Sequence, residues 1–179
     1  MANRVRIIGG QWRSRWLRFP ALPGLRPTPD RVRETLFNWL GQDLTGRLCL
    51  DLFAGSGALG LEAASRGAKL TVLVERDARA LRALRENVLA LGADAVELRR
   101  ADALEFLRAD ARSYDVVFLD PPYAMEDRRP LLESVRPRLA PAGLVYMETA
   151  TPLALPPPWE ALRQLRAGAV HCQLLRIAP

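Results

Sequence analysis

Between residues 48 and 148, short apolar runs alternate with longer amphipathic ones, and few folds accommodate that order. Residues 48–53, 70–74, 95–98, 115–119 and 144–148 read as strands. Residues 59–66, 78–91, 104–108 and 129–139 read as helices, the last restricted at its ends by Pro130 and Pro137. Strand and helix in strict alternation predict a parallel sheet with helices on both faces. After Pro156-Pro157-Pro158 the pattern changes. The runs 161–166 and 169–177 flank Gly168 and predict an antiparallel hairpin added to the sheet. The expected core is thus α/β, with a mostly parallel, seven-stranded sheet.

Two motifs lie on this frame. Gly55-Ser56-Gly57-Ala58-Leu59-Gly60 follows the first predicted strand and opens a helix, the context that gives a GxGxxG pattern meaning. Gly55 permits a tight turn, Gly57 lets a ligand approach the backbone, and N–H groups at the helix start favour a carboxylate or pyrophosphate. Glu75 ends the next strand, about twenty residues on, where an acid accepts ribose hydroxyls. A dinucleotide dehydrogenase fits these features equally. Asp51 inside the motif suits a cationic amino-acid end, and Asp102 after the third strand is placed to accept from an adenine amine. Both tilt the reading toward S-adenosylmethionine. A bare turn or helix cap is the plainer role for Asp102.

The second motif, Asp120-Pro121-Pro122-Tyr123, ends the fourth predicted strand, on the carboxyl edge where open α/β sheets bind ligands. An exocyclic amine on a base is a poor nucleophile because its lone pair is delocalised. The Asp120 carboxylate and Pro121 carbonyl would take its hydrogens and aim the lone pair at a methyl group. Pro121 and Pro122 stiffen the loop, and Tyr123 would stack on the base.

Before the first strand lies a basic arm. Arg4, Arg6, Arg13, Arg15, Arg18, Arg26, Arg31 and Arg33 face only Asp30 and Glu34 there, within a chain of net charge +6. Alternation on both sides of Gly9-Gly10 predicts a hairpin. Arginine suits phosphate contact and base stacking, and Trp12 and Trp16 interleave with it. Thr28 is a candidate cap for a helix with Pro29 at its first position. Residues 1–26 are read as an RNA-binding arm and 27–179 as a catalytic domain.

The remaining composition narrows the class. No apolar run approaches the roughly 18 residues of a membrane span, and arginines interrupt any signal-peptide core near the N-terminus. Cytoplasmic placement and no membrane partner are expected. Cys49 and Cys172 sit in apolar strand-like runs, as buried free thiols do. His171, the single histidine, has no ligand cluster, so no metal is expected. A monomer is the default.

The motifs resemble those of the amino-methylating class I methyltransferases, a Rossmann-like fold. Arg6-Ile7-Ile8-Gly9-Gly10, Leu25-Arg26-Pro27-Thr28, the run from Asp30 through Leu40, and Asp51 to Gly60 are similar to the RsmD family. That family methylates N2 of guanine 966 in 16S ribosomal RNA of the small subunit, with S-adenosylmethionine as donor. The resemblance implies cofactor or catalytic positions at Asp51, Gly55, Gly57, Glu75, Asp102 and Asp120. Phe53, Arg76, Ala103 and Thr28 complete the candidate cofactor set. Asp120, Pro121, Pro122 and Tyr123 form the catalytic set. Arg4, Arg6, Arg13, Arg15, Arg26, Arg31, Arg33 and Tyr123 form the substrate set. Pro29 stands where relatives carry Thr, and residues 124–129 match no usable pattern.

Two other functions fit parts of the chain. A DNA adenine-N6 or cytosine-N4 methyltransferase would use the same platform, although about sixty residues between the motifs leave no room for a sequence-reading insert. A non-catalytic nucleotide- or RNA-binding protein would need only the glycine motif and the arm.

Overall fold

The structure, a computed structural model, describes residues 3–122, 125 and 127–178. Tyr123, assigned to stacking, lies outside the described residues. The first strands, β1 (Asn3–Arg6) and β2 (Trp16–Phe19), pair antiparallel, and helix α1 (Asp30–Leu40) follows. The alternating region gives β3 (Leu48–Asp51), α2 (Gly60–Ser65), β4 (Leu70–Val74), α3 (Ala78–Leu91), β5 (Val96–Arg99), α4 (Ala103–Ala109), β6 (Tyr114–Leu119) and α5 (Arg129–Val135). A 3₁₀ turn over Arg136–Arg138 leads to β7 (Leu139–Thr149), and β8 (Trp159–Ala167) and β9 (Val170–Ile177) close the chain.

Among the described residues the main sheet has seven strands in the order β5-β4-β3-β6-β7-β9-β8. The first five are parallel, and β9 runs antiparallel to both β7 and β8. The expected hairpin around Gly168 is present, and its second strand inserts between β7 and its first. β7 starts five residues before the predicted strand, with a register shift against β6 between Tyr114 and Val116. Successive residues alternate between two cores. Leu50, Val72, Val117 and Val145 pack with Phe106 and Leu107 of α4 and Leu131 and Val135 of α5. Cys49, Val116, Phe118 and Tyr146 pack on the other side with Val32, Leu36 and Phe37 of α1.

The arm is not a free extension. Val5, Ile7, Trp12, Leu17 and Phe19 share a third core with Leu61, Ala64, Leu73 and Leu84. The Arg18 backbone exchanges two hydrogen bonds with the Asn87 amide on α3. The Gly-Gly pair is not the hairpin turn, contrary to expectation. Arg6 pairs with Trp16, so residues 7–15 form a nine-residue connection, and Gly9-Gly10 lie against the end of α2. A Cβ on Gly10 would stand 1.9 Å from the Ser65 carbonyl oxygen, and its φ of +74° also favours glycine. Close approach to α2, rather than turn formation, demands the glycine.

The start of α1 also differs from expectation. Pro29 is the N-cap, Asp30 is the first helical residue, and no side chain caps the end. Thr28 is buried and donates instead to Glu148 Oε1 at 2.8 Å. No helix among the described residues is long and apolar enough to cross a membrane.

Candidate active site

From β3 the sheet is built outward through β4 and β5 toward one edge and then through β6 and β7 toward the other, so the strand order reverses between β3 and β6 while all five strands stay parallel. Such a switch point opens a crevice at the carboxyl edge. In sheet order, that edge presents Asp102 after β5, Glu75 after β4, Asp51 at the end of β3, Asp120 after β6, and Glu148 in β7. Each of the five parallel strands therefore contributes one acid to a single row.

These acids are held differently. Asp51 is buried, and its Oδ1 and Oδ2 accept from the backbone N–H groups of Phe53 (3.3 Å) and Gly60 (3.1 Å). Burial pushes its pKa up to about 7; the two hydrogen bonds oppose this, and nearby Glu75 and Glu148 add to it. Glu75 accepts from Gly55 N at 2.9 Å and Asp77 N at 2.7 Å, one bond on each oxygen. Its carboxylate is thus fixed against the glycine turn, with lone pairs left for ribose hydroxyls. Asp102 is exposed, and its Oδ1 caps α4 through Leu104 N and Glu105 N. The plainer role is realised there, and Oδ2 is left to meet an adenine amine. Ala103 beside it is buried, whereas Arg76 beside Glu75 is exposed and Phe53 is half-buried.

The glycines divide the same way. Gly55 has a φ of +50°, and a built Cβ would make only ordinary contacts, at 3.7 Å from the Phe53 carbonyl oxygen and 3.8 Å from Leu25 Cγ, so it is the turn's left-handed backbone that favours glycine there. Gly57 is required by packing within the protein. It is buried, and a Cβ there would come within 2.8 Å of Leu84 and Leu61. Its role is to let α2 and α3 close on the turn.

Asp120 receives no hydrogen bond among the described residues. Burial raises its carboxyl well above the ordinary carboxylate range, Glu148 and Asp51 add to the rise, and the Arg128 cation opposes it. Pro121 is buried behind it. The Pro122 carbonyl accepts from Met125 N at 2.9 Å and Arg128 Nη2 at 3.5 Å.

Two residues at this edge escaped sequence reasoning. Glu148 is buried and accepts from Thr28 Oγ1 and Tyr146 OH, both on Oε1. An acid ending the fifth strand on the carboxyl edge was a usable signal. Arg128 is also buried, and its Nε and Nη1 have no partner among the described residues. Only the fold brings it back to Asp120, so no local pattern could have marked it.

The basic set splits as well. Arg4, Arg6, Arg13, Arg15, Arg26 and Arg31 are exposed, as a polyanion surface requires. Arg33 is removed from that set. It is fully buried, donating to the Thr28 carbonyl, Asp30 and Glu62. Trp12 is likewise buried, with its backbone N–H donating to Ser65 Oγ, so it packs the arm and does not face solvent.

Comparison with known proteins agrees with this geometry. The Escherichia coli K12 protein named ribosomal RNA small subunit methyltransferase D is 43% identical over 179 residues, covering 97% of this chain and 90% of that protein. Its Haemophilus influenzae namesake is 40% identical over 180 residues, covering 96% and 93%. The solved structure of yhhF from Escherichia coli matches with a TM-score of 0.89 at 37% identity, over 98% of this chain and 99% of that one. Switch-point crevice, glycine turn and edge carboxylates define an S-adenosylmethionine-dependent methyltransferase of the class I fold. A family profile described as conserved hypothetical protein 95 matches residues 5–176, and the chain belongs to that family, the RsmD family.

Proposed function

We propose that the protein transfers a methyl group to the exocyclic N2 amine of a guanine, position 966, in 16S ribosomal RNA of the small subunit. The observation that carries the chemistry is the Asp120-Pro121 platform beside Asp51 across the switch point. The small-subunit RNA follows from the relatives named above and from the exposed arginines of the arm. Cytoplasmic placement, a monomeric state and a division into arm (1–26) and catalytic domain (27–179) complete the reading.

The cofactor fits the residues present. Glu75 is fixed against the glycine turn by its bond from Gly55 N and is placed to take the ribose. Asp102 offers an acceptor to the adenine amine, and the neighbouring acids Asp51, Asp120 and Glu148 favour a positive charge nearby. When bound, S-adenosylmethionine supplies an electrophilic methyl group on a sulfonium and departs as a neutral thioether.

The chain's own residues do the rest. The Asp120 carboxylate and the Pro121 carbonyl accept the two amine hydrogens and direct the nitrogen lone pair toward the methyl carbon. Alignment of this kind supplies much of the acceleration. As the new N–C bond forms, positive charge appears on the nitrogen, and Asp120 takes the proton. Its low-dielectric surroundings raise its basicity for that step. The Arg128 cation near Asp120 opposes the rise in its carboxyl and so helps to keep it ionised for this role. Methylation of small-subunit particles, with the product nucleoside identified by mass spectrometry, tests the proposal; label in duplex DNA alone would contradict it.

A further inference from the structure

The two-stranded sheet of the arm has one face in the core and one outside. Val5, Leu17 and Phe19 point inward, whereas Arg4, Arg6, Trp16 and Arg18 share the outer face. Register places Arg6 opposite Trp16 and Arg4 opposite Arg18. Trp16 is 51% exposed, an unusual state for an indole, and the Arg4 guanidinium lies 4.4 Å from its ring centroid. Cation and ring hold each other in a flat, positively charged platform.

This platform forms one wall of an open groove of about 430 Å³. The opposite wall is Pro27, Thr28, Pro29 and Asp30. Asp30 is the acid in the lining, and its charge is met by Arg33 at 2.5 Å and by Arg6 at 3.9 Å. The groove therefore combines an indole face and prolines with two arginines, Arg4 and Arg6, against the single acid Asp30. One of its lining residues, Thr28, is hydrogen-bonded to Glu148 in β7, the strand beside β6 that ends at Asp120.

We propose that this groove is a subsite for a second, unpaired nucleotide of the RNA substrate. Its base stacks on the Trp16–Arg4 platform, and its phosphate lies against Arg6. The inference rests on the RNA reading above and adds to it a stacked base beside the one that is methylated. Base–aromatic stacking accepts any base, so the subsite fixes the RNA strand without reading its sequence. A nucleotide fits this surface better than a peptide does, since the groove offers two arginines, one aromatic face and a proline edge.

Trp16 fluorescence supplies the test, because Trp12 and Trp159 are buried and Trp39 is half-buried. The probes are a single-stranded RNA of about ten nucleotides and inorganic polyphosphate, which carries charge without bases. RNA should quench an emission component that is missing in Trp16→Phe, and polyphosphate at equal occupancy should not. Trp16→Ala should weaken RNA binding about 10-fold. With ribosomal RNA as substrate it should raise KM with kcat retained, and Trp16→Phe should recover most of the affinity. Equal quenching by polyphosphate, or unchanged affinity in Trp16→Ala, overturns the subsite. Wild-type protein assayed in parallel keeps the two questions apart: if it methylates ribosomal RNA while Trp16 is indifferent, the subsite alone fails.

Discussion

The Arg33 guanidinium donates to the Glu62 carboxylate across 3.1 Å, and both side chains are fully buried. Glu62 also accepts from the Ile8 and Gly9 backbone N–H groups of the arm and from Arg66. One carboxylate thus ties the arm, α1 and α2 together. Removing one member of such a network leaves charges buried without a partner. Glu62→Gln should cost about 3–5 kcal/mol of unfolding free energy, read from urea denaturation. It should also expose the 7–15 connection to proteases. An unchanged denaturation midpoint would show that the arm is held mainly by its apolar contacts.

Gly10 makes a narrower claim. Its backbone lies on the end of α2, where Gln11 N donates to the Ser65 carbonyl at 2.8 Å. Gly10→Ala introduces a left-handed φ penalty and a clash that backbone must relieve, a cost of about 1–3 kcal/mol. The loss should appear as a lower thermal midpoint with the methyl-transfer chemistry intact. Full stability in Gly10→Ala would contradict the close approach.

The raised carboxyls give pH a defined direction. Asp51 titrates near 7 in the folded protein, well above its ordinary value. The folded state therefore holds a proton that the unfolded state has lost between roughly pH 4 and 7. The stability this group contributes is greatest in acid and is lost as pH rises through its folded value, by about 4 kcal/mol at most. Asp120 and Glu148 are displaced in the same direction. A cationic ligand reverses the preference, because it favours the ionised acids. The thermal shift produced by S-adenosylmethionine should grow from pH 5.5 to pH 7, and that produced by its neutral thioether product should grow less. Equal growth for both would show that the sulfonium does not sense these carboxylates.

Asp120 and Glu75 should separate chemistry from binding. Asp120→Ala should reduce kcat by about 10²-fold or more, with the S-adenosylmethionine affinity largely kept, as calorimetry would register. Glu75→Ala should act chiefly on affinity, because it removes the ribose acceptor and frees Gly55 N. Loss of cofactor binding in Asp120→Ala would make that residue part of the cofactor site instead.

Much of the fold was legible because its signals are local. The alternation from residue 48 to 148 and the glycine at 168 dictate strands, helices and the terminal hairpin with no knowledge of contacts. The acids at 51, 75, 102 and 120 were legible for the same reason, since each ends a recognisable strand. What the sequence hid depends on distant partners. Gly9-Gly10 looks like a turn until α2 is seen against it. Arg33 looks like one more surface arginine until Glu62, 29 residues later, is found at its tip. Thr28 looks like a cap until Glu148, 120 residues away, takes its hydroxyl. Arg128 carries no local mark at all. Burial of a charged side chain is decided by tertiary partners, which one-dimensional spacing does not contain.

The most direct test of the central proposal is nucleoside mapping of small-subunit ribosomal RNA from a strain lacking the gene, before and after incubation with the protein and S-adenosylmethionine. Restoration of a single N2-methylguanosine, absent with Asp120→Ala, is the predicted result. Methylation of adenine or cytosine instead, or methyl transfer to duplex DNA with none to ribosomal RNA, would contradict it.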